Sequence, residues 1–309
     1  MSTECRTLNL KRQPVFIRRS TALSAVCLLV VCLVLPGCGP RQPAPVVDGR
    51  PRIVSLSPSI TEILCAIGAA DCLVGRSRVC DYPAETVKDI PIIGDFCSPS
   101  LEKLVAVRPT LVLEVDASDA ATDRRIAELG IPVRRIPCAK LAEIPAAIRE
   151  IGAAAKHVAA AEKMAAAFAA ELARLRREQP PPATCPTVFV EIWADPLMTA
   201  GRDGFVAELV RLAGGRNLGD EFTREYVPVA TEWLIDRAPE IILCLNDGPH
   251  AADPLPFYRA RNGFGSVPAV KSGRVHGGFD VNIMLKPGPR VLQSIAELRR
   301  AIQAAAKPQ

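Results

Sequence analysis

SLEKLVAVRPTLVL (residues 100–113) and ATEWLIDRAPEIIL (230–243) are two copies of one pattern. Position 232 lies 130 after 102, and 239 lies 130 after 109, so Glu102 matches Glu232 and Pro109 matches Pro239. Leu104 and Leu113 find Leu234 and Leu243 at the same offset. Each copy reads as a short helix, a proline-marked turn and a buried strand. Leu101, Leu104, Val105 and Val107 share one helical face, the 3.6-residue signature. Proline ends the helix because it lacks a backbone donor and biases its predecessor away from α geometry. LVLEV and IILCL are apolar, β-rich runs of the kind that fill a parallel sheet. Glu102 and Glu232 both fall in a helix first turn, where the dipole favours a carboxylate; a plain cap-proximal acid explains that placement equally well.

A second pair of segments repeats as well. TEILCAIGAADCLVG (61–75) matches AELVRLAGGRNLG (207–219), with Glu208 standing 146 after Glu62. Both are helices closed by glycine, at Gly68 and at Gly214-Gly215. Repeated helix–strand units argue for two similar lobes.

The chain has 309 residues and a formal net charge of +5. Residues 1–21 carry Arg6, Lys11, Arg12, Arg18 and Arg19 against Glu4, and an apolar run follows that ends in Leu35-Pro36-Gly37-Cys38. That run has secretory length and is short for a membrane span. Its end resembles the bacterial lipobox, which implies removal of residues 1–37, acylation of Cys38 and attachment to a bacterial membrane. Without residues 1–37, Lys+Arg falls from 38 to 33 and Asp+Glu from 33 to 32, a net +1. The basic balance therefore belongs to the leader, and a nucleic-acid partner is not indicated. Residues 38–51 are Pro-rich and polar, a tether.

Between Arg52 and Gly152 the pattern alternates strand and helix: strands near 52–58, 72–76, 92–93 and 131–137, helices near 60–67, 119–129 and 141–153. Ser98-Pro99 reads as a helix cap and first turn. This βαβα order predicts a parallel sheet in an N-terminal lobe over 52–152. Residues 153–180 form an Ala-rich stretch of high helix propensity, closed by Pro180-Pro181-Pro182. It reads as one long helix joining the lobes, resistant to bending without an internal kink. The second lobe, 184–309, opens with strand 187–193 and a loop over 194–204, and closes with an amphipathic helix over 287–305.

Catalytic motifs are missing. The sequence has neither G-x-S-x-G nor a lysine-bearing phosphate loop. Of the histidines, His157 lies in the long helix and His250 and His276 in loop or strand-end positions. Three scattered histidines make a poor metal receptor, so no metal site and no cofactor are expected and each histidine reads as surface or loop filler. Seven cysteines follow Cys38; Cys80 and Cys97, both after strands, are the expected disulfide pair in an oxidising compartment. Cys65, Cys138 and Cys244 read as buried small hydrophobes.

RIVSLSPSITEILCAIGAADCLVG, CDYPAE and the two SLEKL/ATEWL segments, with TAGRDGFVAELVRLAGGRNL, resemble the substrate-binding proteins of ABC importers for cobalamin and iron–siderophore complexes. The resemblance covers roughly 51–305. It implies an α/β fold of two Rossmann-like lobes with mostly parallel sheets, joined by one long α-helix, acting as a monomer. Ligand would lie between the lobes, and Glu102 and Glu232 would dock on a two-fold symmetric permease. By the same resemblance, Asp81, Tyr82, Phe96, Trp193, Tyr226, Asn282 and Lys286 are the candidate ligand-binding residues, with CDYP leaning toward a corrinoid. A ferric siderophore or haem is the alternative cargo, for which Arg76, Arg78, Arg202, Arg224 and Lys286 are candidate cations. An exported α/β enzyme is a further alternative that the missing motifs disfavour.

Overall fold

The protein is described by a computed structural model over residues 49–115 and 119–304. The leader, Cys38 and most of the tether lie outside the described residues. The first lobe holds β1 (Ile53–Ser55), β2 (Leu73–Ser77), β3 (Ile92–Asp95), β4 (Ser98–Pro99), β5 (Leu111–Glu114) and β6 (Val133–Arg135). They form one sheet in the order β4-β3-β2-β1-β5-β6, parallel except for the β3–β4 pair. The second lobe holds β7 (Thr187–Glu191), β8 (Trp193–Ala194), β9 (Leu197–Ala200), β10 (Arg216–Asn217), β11 (Tyr226–Pro228), β12 (Ile241–Cys244) and β13 (Val275–His276). A parallel sheet runs β10-β7-β12-β13, and β11-β9-β8 form a small antiparallel sheet.

The duplicated sequence is thus a duplicated topology. The order β2-β1-β5-β6 in the first sheet matches β10-β7-β12-β13 in the second. Helices Leu101–Ala106 and Thr231–Arg237 feed β5 and β12, with Glu102 and Glu232 in their first turns. Even the turn geometry repeats: Arg108 and Ala238, each just before its proline, have φ of 44° and 45°. Left-handed backbone without glycine carries strain, and both copies carry it at the same place.

Two boundaries differ from the sequence reading. Ser98 and Pro99 pair with Asp95 and Gly94 as a strand. The helix starts later, at Leu101, with Ser100 Oγ accepting from the Lys103 amide. Gly94 is needed there, because a Cβ would overlap the Ser98 carbonyl. The long helix likewise starts later than 153. Residues 153 and 154 finish the helix Ile144–Ala154, Lys156 turns the chain at φ 61°, and a new helix runs Val158–Arg177. The cause is close packing: an added Cβ at Gly152 would overlap Ala161, so the two helices touch at backbone distance.

Helix 158–177 buries Ala161, Ala165, Phe168, Leu172 and Leu175. Alternating steps of four and three keep these on one stripe. The stripe belongs to a core cluster that also holds Ile53, Leu113 and Ile148 of the first lobe and Val190, Leu243 and Ile295 of the second.

Candidate functional site

The strand ends place the site. Ser57, Val79, Phe96, Val115 and Cys138 follow β1, β2, β3, β5 and β6, and all five line one cleft. Side chains beyond the carboxyl ends of parallel strands are where open α/β sheets hold ligands. The opposite wall comes from the second lobe: Phe205 at a helix start, Glu225 and Tyr226 at β11, and Leu285, Lys286 and Pro287. The cleft measures about 480 Å³. Val79 and Phe96 are 38% and 44% exposed. Large apolar side chains left facing solvent at a cleft are the informative kind of exposure.

One segment of the second lobe stitches the cleft shut at its side. Lys286 Nζ lies 3.4 Å from both Asp81 Oδ1 and the Val79 carbonyl. The Cys138 thiol donates to the Pro287 carbonyl at 3.0 Å, and burial pushes that thiol up to about 12, so it stays a donor. Arg290 donates from Nε at 2.9 Å and from its backbone amide at 3.1 Å to the Glu62 carboxylate. Its guanidinium also stacks 3.4 Å above the Tyr82 ring centroid. Burial pushes both Glu225 and Tyr226 up from their ordinary values.

The expected binding residues therefore divide. Phe96, Tyr226 and Lys286 line the cleft together. Asp81 and Tyr82 sit beside it, occupied by Lys286 and Arg290. Trp193 does not join them. It lines a separate pocket of about 1010 Å³ within the second lobe, with Asn246, Asp247, His250, Phe257 and Arg261. The cause is that strand 187–193 breaks after Glu191. Trp193, the last residue of the strand as read from sequence, instead starts a hairpin, β8–β9, that runs on into the stretch 194–204 read as a loop. Asn282 is exposed in the short helix Val281–Met284, outside the cleft lining.

Glu102 and Glu232 are exposed and make no ion pair among the described residues. Each helix feeds a strand parallel to its neighbours. Its N-terminus therefore lies toward the carboxyl edge of the sheet, the edge whose loops line the cleft.

Cys80 and Cys97 are free thiols, so the expected bridge is corrected. Both are buried and each sulfur turns to the end of β1: Cys80 lies 3.1 Å from Ser77 Oγ and 4.0 Å from the Ser55 carbonyl, Cys97 4.0 Å from the Leu56 carbonyl. Burial pushes Cys97 up to about 11. His250 is not loop filler. Its side chain is 10% exposed, and Nε2 lies 2.7 Å from Glu191 Oε1.

Sequence reasoning missed Glu62, Arg290, Cys138 and Glu225. Glu62 had a signal: an acid inside the apolar run SITEILCAI needs a cation when that face is buried. Which cation answers it, 228 residues away, no local pattern reveals.

Residues 53–278 match the periplasmic binding protein family. The chain belongs to that family. Among curated relatives, an uncharacterised ABC transporter substrate-binding lipoprotein, YvrC, of Bacillus subtilis is 29% identical over 258 residues, covering 81% of this chain and 79% of that one. A vitamin B12-binding protein of Vibrio campbellii is 28% identical over 192 residues, 62% of this chain and 69% of its own. Among solved structures, the apo periplasmic heme-binding protein RhuT of Roseiflexus aligns at a TM-score of 0.72 with 29% identity, covering 84% of this chain and all of that one. The α/β architecture of this family member, with its parallel sheets, is that of its structural neighbours. No helix among the described residues is long and apolar enough to cross a membrane.

Proposed function

We propose that the protein is the exported, lipid-anchored substrate-binding component of an ABC importer, and that its inter-lobe cleft captures a corrinoid. One observation carries this reading: a largely apolar cleft with both lobes contributing walls, Phe96 on one side and Tyr226 on the other. Flat apolar walls with a few polar groups suit a bulky, amide-fringed macrocycle. The cations that an anionic siderophore requires are mostly engaged elsewhere. Arg76 is buried with its guanidinium on the Val87 and Cys80 carbonyls, Arg78 pairs with Asp95, and Arg202 bonds the Asp220 carbonyl. Lys286 alone of the five candidates lines the cleft. A relative that binds vitamin B12 supports the corrinoid; one that binds heme supports the runner-up.

In this reading Cys38 carries the lipid, and Glu102 and Glu232 orient the loaded protein on two permease subunits. A surface ion pair is worth only about 0–1 kcal/mol, so the two set register and encounter rate more than affinity. The test is spectroscopic. Purified mature protein is exposed to cobalamin, cobinamide, haem and ferric siderophores and then desalted. Retained corrinoid absorption is expected. Retention of haem or ferric colour alone transfers the reading to the runner-up, and no retained colour defeats both.

A further inference from the structure

A second constellation lies in the other lobe, away from the cleft. Glu191 ends β7 and Cys244 ends β12, and the two are register partners across a parallel ladder. Directly opposed residues on neighbouring strands share a face. Asn246 then folds the chain back, its Oδ1 accepting from the Gly248 amide at 3.0 Å. That turn delivers His250, so that a Glu191 oxygen, the Cys244 sulfur and a His250 ring nitrogen all lie within 4.8 Å of one another.

We propose that Glu191, Cys244 and His250 form a binding site for one divalent cation of the zinc class. Three features support it. The first is charge. Glu191 is fully buried, and its one ion-pair partner among the described residues is His250. A buried carboxylate without a firm cation is costly. The second is ligand type. Carboxylate, thiolate and imidazole are the donors a borderline metal accepts, and one carboxylate with one thiolate neutralises a 2+ ion. The third is the surrounding shell. Asn246 Nδ2 donates to Glu191 Oε1 at 2.7 Å and the Tyr258 hydroxyl donates to Oε2. Phe257 stacks on the His250 ring at 3.9 Å and 13°. Such second contacts fix ligand orientation in metal sites.

Ion entry runs through the pocket of about 1010 Å³ whose wall includes His250 and Asn246. Cys244 is a free, buried cysteine. Metal binding replaces its thiol proton: the sulfur lone pair goes to the metal and one H⁺ leaves to solvent. Tetrahedral bonds of ~2.0–2.3 Å separate neighbouring donor atoms by roughly 3.3–3.8 Å. The 2.7 Å contact between His250 and Glu191 must therefore open slightly, which a loop-borne ring allows.

The experiment is titration of metal-free mature protein with cobalt(II), with zinc(II) as competitor. One equivalent is expected to bind, with a thiolate-to-cobalt charge-transfer band that zinc abolishes. Cys244→Ala should lose the band, and partly exposed His250→Gln should weaken binding by about 100-fold or more. Asn246→Ala should weaken it by about 10- to 100-fold. Circular dichroism of each variant confirms folding. No band in the wild type overturns the site. So does a band that survives Cys244→Ala, which would place the metal on another thiol such as the half-buried Cys185. Equal affinity in the folded His250→Gln variant overturns it too. None of these outcomes bears on corrinoid capture.

Discussion

Each lobe buries one carboxylate at the carboxyl end of a central strand, and the two are answered differently. Glu114 closes β5 of the first lobe, and Arg135, one strand over on β6, places Nε 3.0 Å from its oxygen while also holding Asp123. Glu191 closes β7 of the second lobe and meets Asn246, His250 and Tyr258. Both side chains are fully buried. The first lobe pairs its acid with a permanent cation; the second surrounds it with groups that are neutral or titratable. Duplication preserved the backbone path, down to the left-handed residue before each proline, while the chemistry at the strand ends diverged.

The largest effect tests what the two lobes still share. Glu102→Ala combined with Glu232→Ala should abolish uptake of the ligand in cells while ligand affinity in solution stays unchanged. Normal uptake by that double variant would break the idea that the repeat serves a two-fold partner. Next comes the seam between lobes. Arg290→Leu strands Glu62, which is 8% exposed, and should cost about 3 kcal/mol in denaturant unfolding. Adding Glu62→Gln should recover part of the loss. A neutral Arg290→Leu would mean the seam contributes no stability.

Smaller effects sharpen the contrast itself. Glu191→Gln puts amide hydrogens against the donors around it and should cost about 1–3 kcal/mol. Glu114→Gln should cost less, since Arg135 keeps Asp123. Equal losses would erase the distinction between the lobes. Glu225 gives a pH signature. Burial raises its folded-state value above the ordinary 4.5, so the folded state binds more protons between those two values. Stability should therefore fall as pH rises from about 4.5 through the folded value. Glu225→Gln should flatten that slope in pH-dependent thermal melts. The smallest expected change is a gain. Ala238→Gly and Arg108→Gly relieve left-handed strain and should each stabilise by up to about 1 kcal/mol. A loss at one position and a gain at the other would show that the twin turns are not equivalent.

What the sequence determined by itself is whatever rests on local period and punctuation. The repeat at offset 130, the strands LVLEV and IILCL, the first-turn placement of Glu102 and Glu232 and the alternation of strand and helix all follow from side-chain spacing and proline position. The cleft was half legible by another route: Phe96, Tyr226 and Lys286, which line it, were implied by the family resemblance and not by local period. Only the tertiary structure decided the rest. Glu62 with Arg290, Cys138 with Pro287 and Glu191 with His250 join residues 228, 149 and 59 positions apart. The break at Lys156 follows from how closely Gly152 admits Ala161, and the free state of Cys80 and Cys97 from where β1 ends. A pattern along the chain encodes which face is apolar; it does not encode which distant group a buried charge, thiol or backbone surface will meet, because that is settled by how the layers pack.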